Sequence, residues 1–377
     1  MDTMYNNKES IEKMSFQNVP VLIMAGGTGG HIFPALAVAE SLRQAGALVH
    51  WMGSEGGLEE SIVPPTQIPL HLIKVQGLRG QSFLKQIQAP FMLLKAFFQV
   101  LKVFKTVKPK LCLGMGGFAA GPGGLMAWLT QTPLIIHEQN AIAGFTNRCL
   151  APLSNKVLCG FPGAFRGNAG RVAVVGNPVR AKILALSENR LTANITPPLK
   201  VLVLGGSRGA QALNECVPKA LSLLPVAQRP LIWHQTGEKG FVETQALYAQ
   251  HGDMDNIKVM PFIENMQKAY IWADLVVCRA GALTIAEIAS VGIPSILVPY
   301  PWAVDDHQTA NARFLVELGA AQCVQQTALT PNWLAQQWAA FQAQPQELTK
   351  MRVAASQVPP NEATVQIVQH CQAVLAC

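Results

Sequence analysis

Short continuous apolar runs alternate along this chain with stretches whose apolar residues recur at helical spacing. The first run, Val19 to Ala25, leads into the turn Gly26-Gly27-Thr28-Gly29-Gly30-His31. From Pro34 to Gln44 a helical pattern follows, with Leu36, Ala37, Glu40 and Ser41 at helix spacing and Gly46 as the stop. The same grammar returns about half a chain later. Lys200 to Leu204 reads as a strand, Gly205-Gly206-Ser207-Arg208-Gly209-Ala210 as a turn, and Gln211 onward as a helix.

Further strand-then-turn units fill both halves. In the first they are Val49 to Met52, Leu111 to Leu113 and Leu134 to His137; in the second, Leu231 to His234, Lys258 to Pro261, Leu275 to Cys278 and Ser295 to Val298. Buried parallel strands read as short apolar runs, and helices alternating with them predict doubly wound sheets. The expected fold class is therefore α/β, with two similar doubly wound parallel-sheet domains. Gly176-Asn177-Pro178-Val179-Arg180 follows the last strand of the first half, and Ser187 to Pro198 has the polar, proline-rich character of a linker. This places a boundary near residue 180, giving a leader over 1–18, one domain over 19–180 and another over 181–360.

Composition narrows the class. With 377 residues, half of them hydrophobic and only 14% charged, the chain can bury two cores. No apolar run reaches the roughly 20 residues that span a bilayer. Met1 to Gln17 is polar, lacks the apolar stretch of a secretory signal, and reads as a loose leader of a cytoplasmic protein. The eight cysteines are scattered without a C-x-x-C pair, which excludes a disulfide framework and a cysteine metal site as organising features. Charge changes the picture more. Between Glu60 and Glu138 there is no acidic residue, yet Lys74, Arg79, Lys85, Lys95, Lys102, Lys105, Lys108 and Lys110 fall there. One surface of the first half should attract anions.

Glycine-rich strand-to-helix turns suit the same ligands. Glycine lets the backbone approach a phosphate closely, and the following helix presents unpaired N–H groups at its positive end. The first turn does not spell G-x-G-x-x-G, and no acidic residue ends the strand Val49 to Met52 to hold a ribose, so dinucleotide binding is excluded. No G-x-x-x-x-G-K-[ST] is present either. The richest stretch is Cys278-Arg279-Ala280-Gly281-Ala282-Leu283-Thr284-Ile285-Ala286-Glu287. There a strand ends, a glycine turns the chain, and Glu287 sits early on a helix. Its carboxylate can accept two ribose hydroxyls, or simply complement the helix dipole. Asp305-Asp306-His307-Gln308-Thr309-Ala310-Asn311 places polar groups beyond another strand end, for sugar hydroxyls or as a solvated loop that caps the next helix through Thr309. Asp253-Met254-Asp255 imitates a metal-holding D-x-D but precedes its strand, at the wrong end for a ligand.

Together with Gly114-Met115-Gly116-Gly117-Phe118, His137-Glu138-Gln139-Asn140 and Asp306-His307-Gln308, these turns make the chain similar to a known family from about Val21 onward. It resembles the peptidoglycan N-acetylglucosaminyltransferases that convert the first lipid-linked muramyl-pentapeptide intermediate into the second. The resemblance implies two Rossmann-like domains facing across a cleft, the GT-B arrangement, with a C-terminal helix near 361–377 returning to the first domain. It implies UDP-N-acetylglucosamine as donor, an undecaprenyl-linked muramyl-pentapeptide as acceptor, and neither a metal nor another cofactor. Ile263 would present its backbone to uracil, and Glu287 would bind the ribose. Ser207 and the helix start at Ala282, Leu283, Thr284, Ile285 and Ala286 would serve the diphosphate. Arg180 would reach a phosphate; Asn140 and either His307 or Gln308 would contact the sugar. Thr28, Gly29 and Gly30 would line the acceptor side. For the base that takes the acceptor proton, His31 is the first candidate and Glu138 the second.

The resemblance also gives the basic stretch a partner, an anionic membrane surface rather than nucleic acid. Lys95, Lys102 and Gln99 share a stripe flanked by Phe91 and Phe98, while Leu93, Phe97, Val100 and Phe104 face a core. Leu78, Phe83 and Leu84 would insert shallowly. The expected location is peripheral, on the cytoplasmic face of the bacterial inner membrane. The remaining alternatives are another two-domain nucleotide-sugar transferase, a UDP-N-acetylglucosamine epimerase and a non-catalytic sugar-nucleotide binding module.

Overall fold

Side chains along a strand alternate between faces. In β1 (Pro20–Met24), Val21 and Ile23 therefore enter one core while Leu22 and Met24 enter another. A strand apolar on both sides belongs in the middle of a covered sheet. The computed structural model describes residues 14–75, 83–165, 170–186, 195–206, 209–250, 256–359 and 361–376, with backbone alone over 83–94.

The first sheet has seven parallel strands: β1, β2 (Leu48–Ser54), β3 (Leu70–Ile73), β4 (Leu111–Gly114), β5 (Leu134–Glu138), β6 (Lys156–Cys159) and β7 (Val172–Val174). Their order is β3-β2-β1-β4-β5-β6-β7, so the chain reverses its direction of travel between β1 and β4. Polar ligands of such sheets collect at the carboxyl ends of the strands beside that reversal. The turn after β1 and the Gly114–Gly117 turn after β4 are adjacent there, and Met115 N–H donates to the Met24 carbonyl at 2.9 Å.

The second sheet holds six parallel strands: β8 (Lys200–Leu204), β9 (Leu231–Gln235), β10 (Ile257–Met260), β11 (Leu275–Cys278), β12 (Ser295–Leu297) and β13 (Ala321–Cys323). Its order, β10-β9-β8-β11-β12-β13, repeats the reversal between β8 and β11. Val201, Val203 and Val277 share a core with Leu213, Val217 and Leu221 of the helix Gln211–Ser222 and with Trp338.

The chain divides into two compact units, one ending at Arg180 and taking in Asn361–Cys377, the other spanning Ala181–Pro360. The helix Ala363–Leu375 packs on the helix Gly29–Gln44 of the first unit, burying Val365, Ile367, Val368 and Cys371. Asn361 Nδ2 also donates to the Asn177 carbonyl at 3.0 Å.

Three sequence expectations change. The leader is not loose as far as Gln17. Met14 and Phe16 are buried in the first core, and the Phe16 N–H donates to the Ala45 carbonyl at 2.9 Å. Burying such a phenyl ring contributes about 2–3 kcal/mol, which outweighs the polar composition around it. The first helix begins at Gly29, well before Pro34, because Thr28 is already the extended residue that starts it. Thr309 does not cap its helix. The helix starts at His307, and the Thr309 hydroxyl donates to Asp306 Oδ1 at 2.7 Å. Ser207, Asp253-Met254-Asp255, most of the linker, Leu78, and the side chains of Phe83, Leu84, Phe91 and Leu93 lie outside the described residues. Within the described part of the basic helix Phe83–Val107, Lys95 and Lys102 are exposed while Val100 and Phe104 are buried. Phe98 is 60% exposed. No helix among the described residues is long and apolar enough to cross a membrane.

Candidate active site

In the first unit the helix Gly29–Gln44 opens without a side-chain cap at Thr28 and without an acidic residue in its first turn. Its leading N–H groups, at Gly29 and Gly30 among others, are thus presented at the positive end of the helix. Two buried groups hold the preceding turn. The Trp51 indole donates to the Ala25 carbonyl at 2.9 Å. The Glu59 carboxylate, with no exposed surface, accepts Ser54 N–H at 2.7 Å, Ser54 Oγ–H at 2.8 Å and Gly27 N–H at 3.1 Å. A Cβ on Gly26 would collide with that carboxylate, so the turn can close over Glu59 only with glycine there.

His31 lies in the first turn of the helix, half-buried, with Nδ1 3.0 Å from Gln139 Oε1. Its ring lies so close to the Gly114–Gly117 turn that a Cβ on Gly116, whose φ is +96°, would stand 2.6 Å from Nδ1. Gln139 is 1% exposed, and its Nε2 donates to the Met115 carbonyl at 2.9 Å and reaches His137 Nδ1 at 3.1 Å. His137 in turn places Nε2 2.9 Å from the Gly176 carbonyl. Complete burial pushes the His137 imidazole down to about 4, so it stays neutral.

Glu138, the second candidate base, is engaged at both carboxylate oxygens. Its carboxylate, 2% exposed, accepts Asn140 N–H at 3.0 Å and Asn140 Nδ2 at 3.2 Å through one oxygen. Through the other it accepts Gly144 N–H at 3.0 Å and Asn147 Nδ2 at 2.8 Å. Four donors organise the loop around this carboxylate and hold Asn140 beside it. Arg180 sets its guanidinium 5.2 Å from the Phe33 ring centroid, just after His31 on the same helix.

In the second unit the helix Ala282–Val291 starts after the extended residue Gly281, again with no side-chain cap. Asn311 Nδ2 ties the preceding turn by donating to the Ala280 carbonyl at 3.1 Å. Glu287 is 5% exposed and accepts the Tyr270 hydroxyl at 2.9 Å. Gln235, at the end of β9, accepts Ile263 N–H at 2.9 Å and donates to the Gly206 carbonyl at 3.0 Å. One side chain thereby couples the glycine turn after β8 to the backbone at Ile263.

Beyond β12, Gln308 Oε1 accepts Tyr300 N–H at 2.9 Å, leaving its amide hydrogens for another acceptor. His307 Nδ1 donates to the Val304 carbonyl at 2.8 Å. Asp305 and Asp306 take left-handed conformations, with φ of 54° and 50°, where they bring the chain round to His307. Among the described residues no three His, Cys, Asp or Glu side chains converge as metal ligands would.

The structure thus gathers Thr28, Gly29, Gly30, His31, Glu138, Asn140 and Arg180 in the first unit. Ile263, the Ala282–Glu287 helix start, His307 and Gln308 fall in the second. Sequence reasoning gave no role to Glu59, Gln139, His137, Gln235 and Tyr270, which the structure bonds to candidate site residues or to the turns beside them. Gln139 and His137 stood inside a motif already singled out, so a signal existed for them; the others carried none.

Comparison with known proteins matches two family models along the chain. The glycosyltransferase family 28 N-terminal domain matches residues 21–159 and the C-terminal domain of the same family matches residues 200–367. A relative from Chromohalobacter salexigens is 51% identical over 95% of this chain and 98% of its own. One from Alkalilimnicola ehrlichii is 49% identical over 94% of this chain and 98% of its own. Both are named UDP-N-acetylglucosamine--N-acetylmuramyl-(pentapeptide) pyrophosphoryl-undecaprenol N-acetylglucosamine transferase. The crystal structure of Acinetobacter baumannii MurG superposes with a TM-score of 0.78 at 43% identity, covering 94% of this chain and 99% of that one. A UDP-N-acetylglucosamine 2-epimerase reaches a TM-score of 0.61 at 15% identity, over 93% of this chain and 95% of its own, a likeness of fold alone. Matched in both domains and about half identical to relatives over nearly their whole length, this chain belongs to glycosyltransferase family 28, among the N-acetylglucosamine transferases of that name.

Proposed function

We propose that this chain moves N-acetylglucosamine from UDP-N-acetylglucosamine to the C4 hydroxyl of undecaprenyl-diphospho-N-acetylmuramoyl-pentapeptide, inverting the anomeric carbon to a β-1,4 link. The observation that carries this reading is the near-full-length identity of about one half to transferases of that name. It is favoured over the epimerase reading by that identity, against 15% for an epimerase of the same fold.

The second unit would hold the donor. Glu287, oriented by Tyr270, suits the ribose hydroxyls, and the uncapped start of the helix Ala282–Val291 suits the diphosphate, with Ser207 from the glycine turn. Because Ile263 N–H is engaged by Gln235, uracil would meet the Ile263 carbonyl through its imide N–H. The Gln308 amide group fits a sugar hydroxyl or the acetamido carbonyl better than His307 does. The first unit would handle the acceptor, its diphosphate at Thr28, Gly29 and Gly30, with Asn140 directed to the sugar and Arg180 to a phosphate.

The reaction is a single displacement. The acceptor oxygen bonds to the anomeric carbon while the bond from that carbon to the UDP oxygen breaks, its electron pair leaving with UDP. The hydroxyl proton passes to His31. Helix termini and Arg180 would offset the charge gathering on UDP. Lys95, Lys102 and the exposed Phe98 would hold the first unit against anionic lipid on the cytoplasmic face of the inner membrane.

Incubation with labelled UDP-N-acetylglucosamine and a short-chain lipid-linked acceptor should yield the labelled disaccharide lipid. Free N-acetylmannosamine instead would establish an epimerase, and no turnover a binding module. Failure to bind anionic liposomes at low salt would remove the membrane assignment.

A further inference from the structure

We propose that Gln139 and His137 are positioning residues that lock His31 in its Nδ1–H tautomer, keeping Nε2 unprotonated to receive the acceptor's proton. The proposal rests on the reading of His31 as the base. It follows from two groups that have no choice of role, the Met115 and Gly176 carbonyls, which only accept hydrogen bonds.

The Gly176 carbonyl lies 2.9 Å from His137 Nε2, so that nitrogen carries the hydrogen. His137 is fully buried and neutral, which leaves a lone pair on Nδ1. That lone pair accepts one hydrogen of the Gln139 amide at 3.1 Å. The other amide hydrogen goes to the Met115 carbonyl at 2.9 Å. Both hydrogens are now committed, and the amide cannot flip without setting its oxygen against the Met115 carbonyl. Gln139 Oε1 therefore faces His31 Nδ1 across 3.0 Å, and an oxygen there requires a hydrogen on Nδ1. In the neutral imidazole the lone pair is then on Nε2.

The lock is sterically tight as well. Gly116 admits the imidazole where any side chain would strike Nδ1, and the backbone of Gln139 is held by Asn177 Nδ2, which donates to its carbonyl at 2.9 Å. Where other enzymes orient a catalytic histidine with a carboxylate, this arrangement uses an amide. It fixes the tautomer without placing a second charge beside a site that must take a diphosphate.

Nitrogen-15 labelling of the histidines in the intact protein tests this directly, because two-bond proton–nitrogen correlations distinguish the two tautomers. The His31 signals are assigned by their loss in His31→Ala. The expected result is the Nδ1–H tautomer in the unaltered protein, which needs no variant to fold; an Nε2–H tautomer overturns the proposal. Gln139→Leu should then populate both tautomers and lower kcat at least roughly tenfold with the KM for UDP-N-acetylglucosamine unchanged. Gln139→Glu, which keeps an acceptor at Nδ1 but adds a charge, should move the acid limb of the kcat profile to higher pH by about one unit. An unmoved limb would show that the side chain at 139 does not face the group that titrates, and this outcome also overturns the proposal. If the tautomer is as expected but His31→Ala retains full turnover, the lock stands and the base assignment falls.

Discussion

The Tyr270 hydroxyl donates to the Glu287 carboxylate across 2.9 Å, and Glu287 keeps only 5% of its surface. A hydrogen bond to a charged acceptor contributes about 1.5–3 kcal/mol. Tyr270→Phe should therefore raise the KM for UDP-N-acetylglucosamine roughly tenfold or more and leave kcat nearly unchanged. Steady-state kinetics with donor varied at saturating acceptor decide it; an unchanged KM would mean that Glu287 is oriented by other contacts.

Glu59 makes the first glycine turn depend on a buried charge. Glu59→Ala strips the partners from Ser54 N–H and Gly27 N–H and leaves a hole beneath Gly26. The expected cost is about 3–5 kcal/mol in urea unfolding of the first unit. Binding of UDP, proposed above for the second unit, should be unaffected when followed calorimetrically below the unfolding transition. Loss of UDP binding would contradict the separation of roles.

For Glu138 the expectation is structural. Glu138→Gln turns one carboxylate oxygen into a donor and sets it against donors already present, either the Asn140 pair or Gly144 and Asn147. Stability should fall by about 2–3 kcal/mol and kcat with it. The limbs of the pH–rate profile should stay where they are. If a limb disappears while the melting temperature holds, Glu138 is a proton-transfer group after all.

Each unit also buries a neutral histidine near its glycine turn. His137 is pushed down to about 4 and His234, between Tyr248 Oη at 2.9 Å and Asn214 Oδ1 at 3.1 Å, to about 3. Both shifts come from burial, opposed at His137 by its partner carbonyl and Glu138. In the unfolded chain both would titrate near 6.5. Below that pH the unfolded state binds protons that the folded state refuses. Stability therefore falls as pH drops from about 6.5 toward 4 and 3, and levels off beneath those values. Between pH 6.5 and 5 the loss should be about 2 kcal/mol per histidine, read as a falling urea midpoint. His234→Gln should flatten this slope for the second unit alone.

Much of this was legible in the order of residues. Val21 to Met24 and Val201 to Leu204 announce central strands because both faces are apolar, and the two glycine turns follow them directly. Leu70–Ile73, Lys156–Cys159 and Ala321–Cys323 escaped because they are short, lie toward the sheet edges and mix polar with apolar residues. Phe16 was hidden inside a polar segment, its burial decided by distant parts of the fold. The hidden members of the candidate site share one trait. Glu59 bonds a residue 32 positions away, and Gln139 one 108 positions away. No local pattern encodes such pairings; they exist only once parallel strands have brought their carboxyl ends together.

The helix Ala363–Leu375 has a consequence for how the protein is made. It supplies Val365, Ile367, Val368 and Cys371 to the core of the first unit, yet the ribosome adds it after the entire second unit. That core begins to assemble early in synthesis and waits for its closing piece until Ala181–Pro360 has emerged. A chain released after residue 360 should therefore carry a protease-resistant second unit and a still-vulnerable first one. Maturation of the first unit is tied to completion of the second.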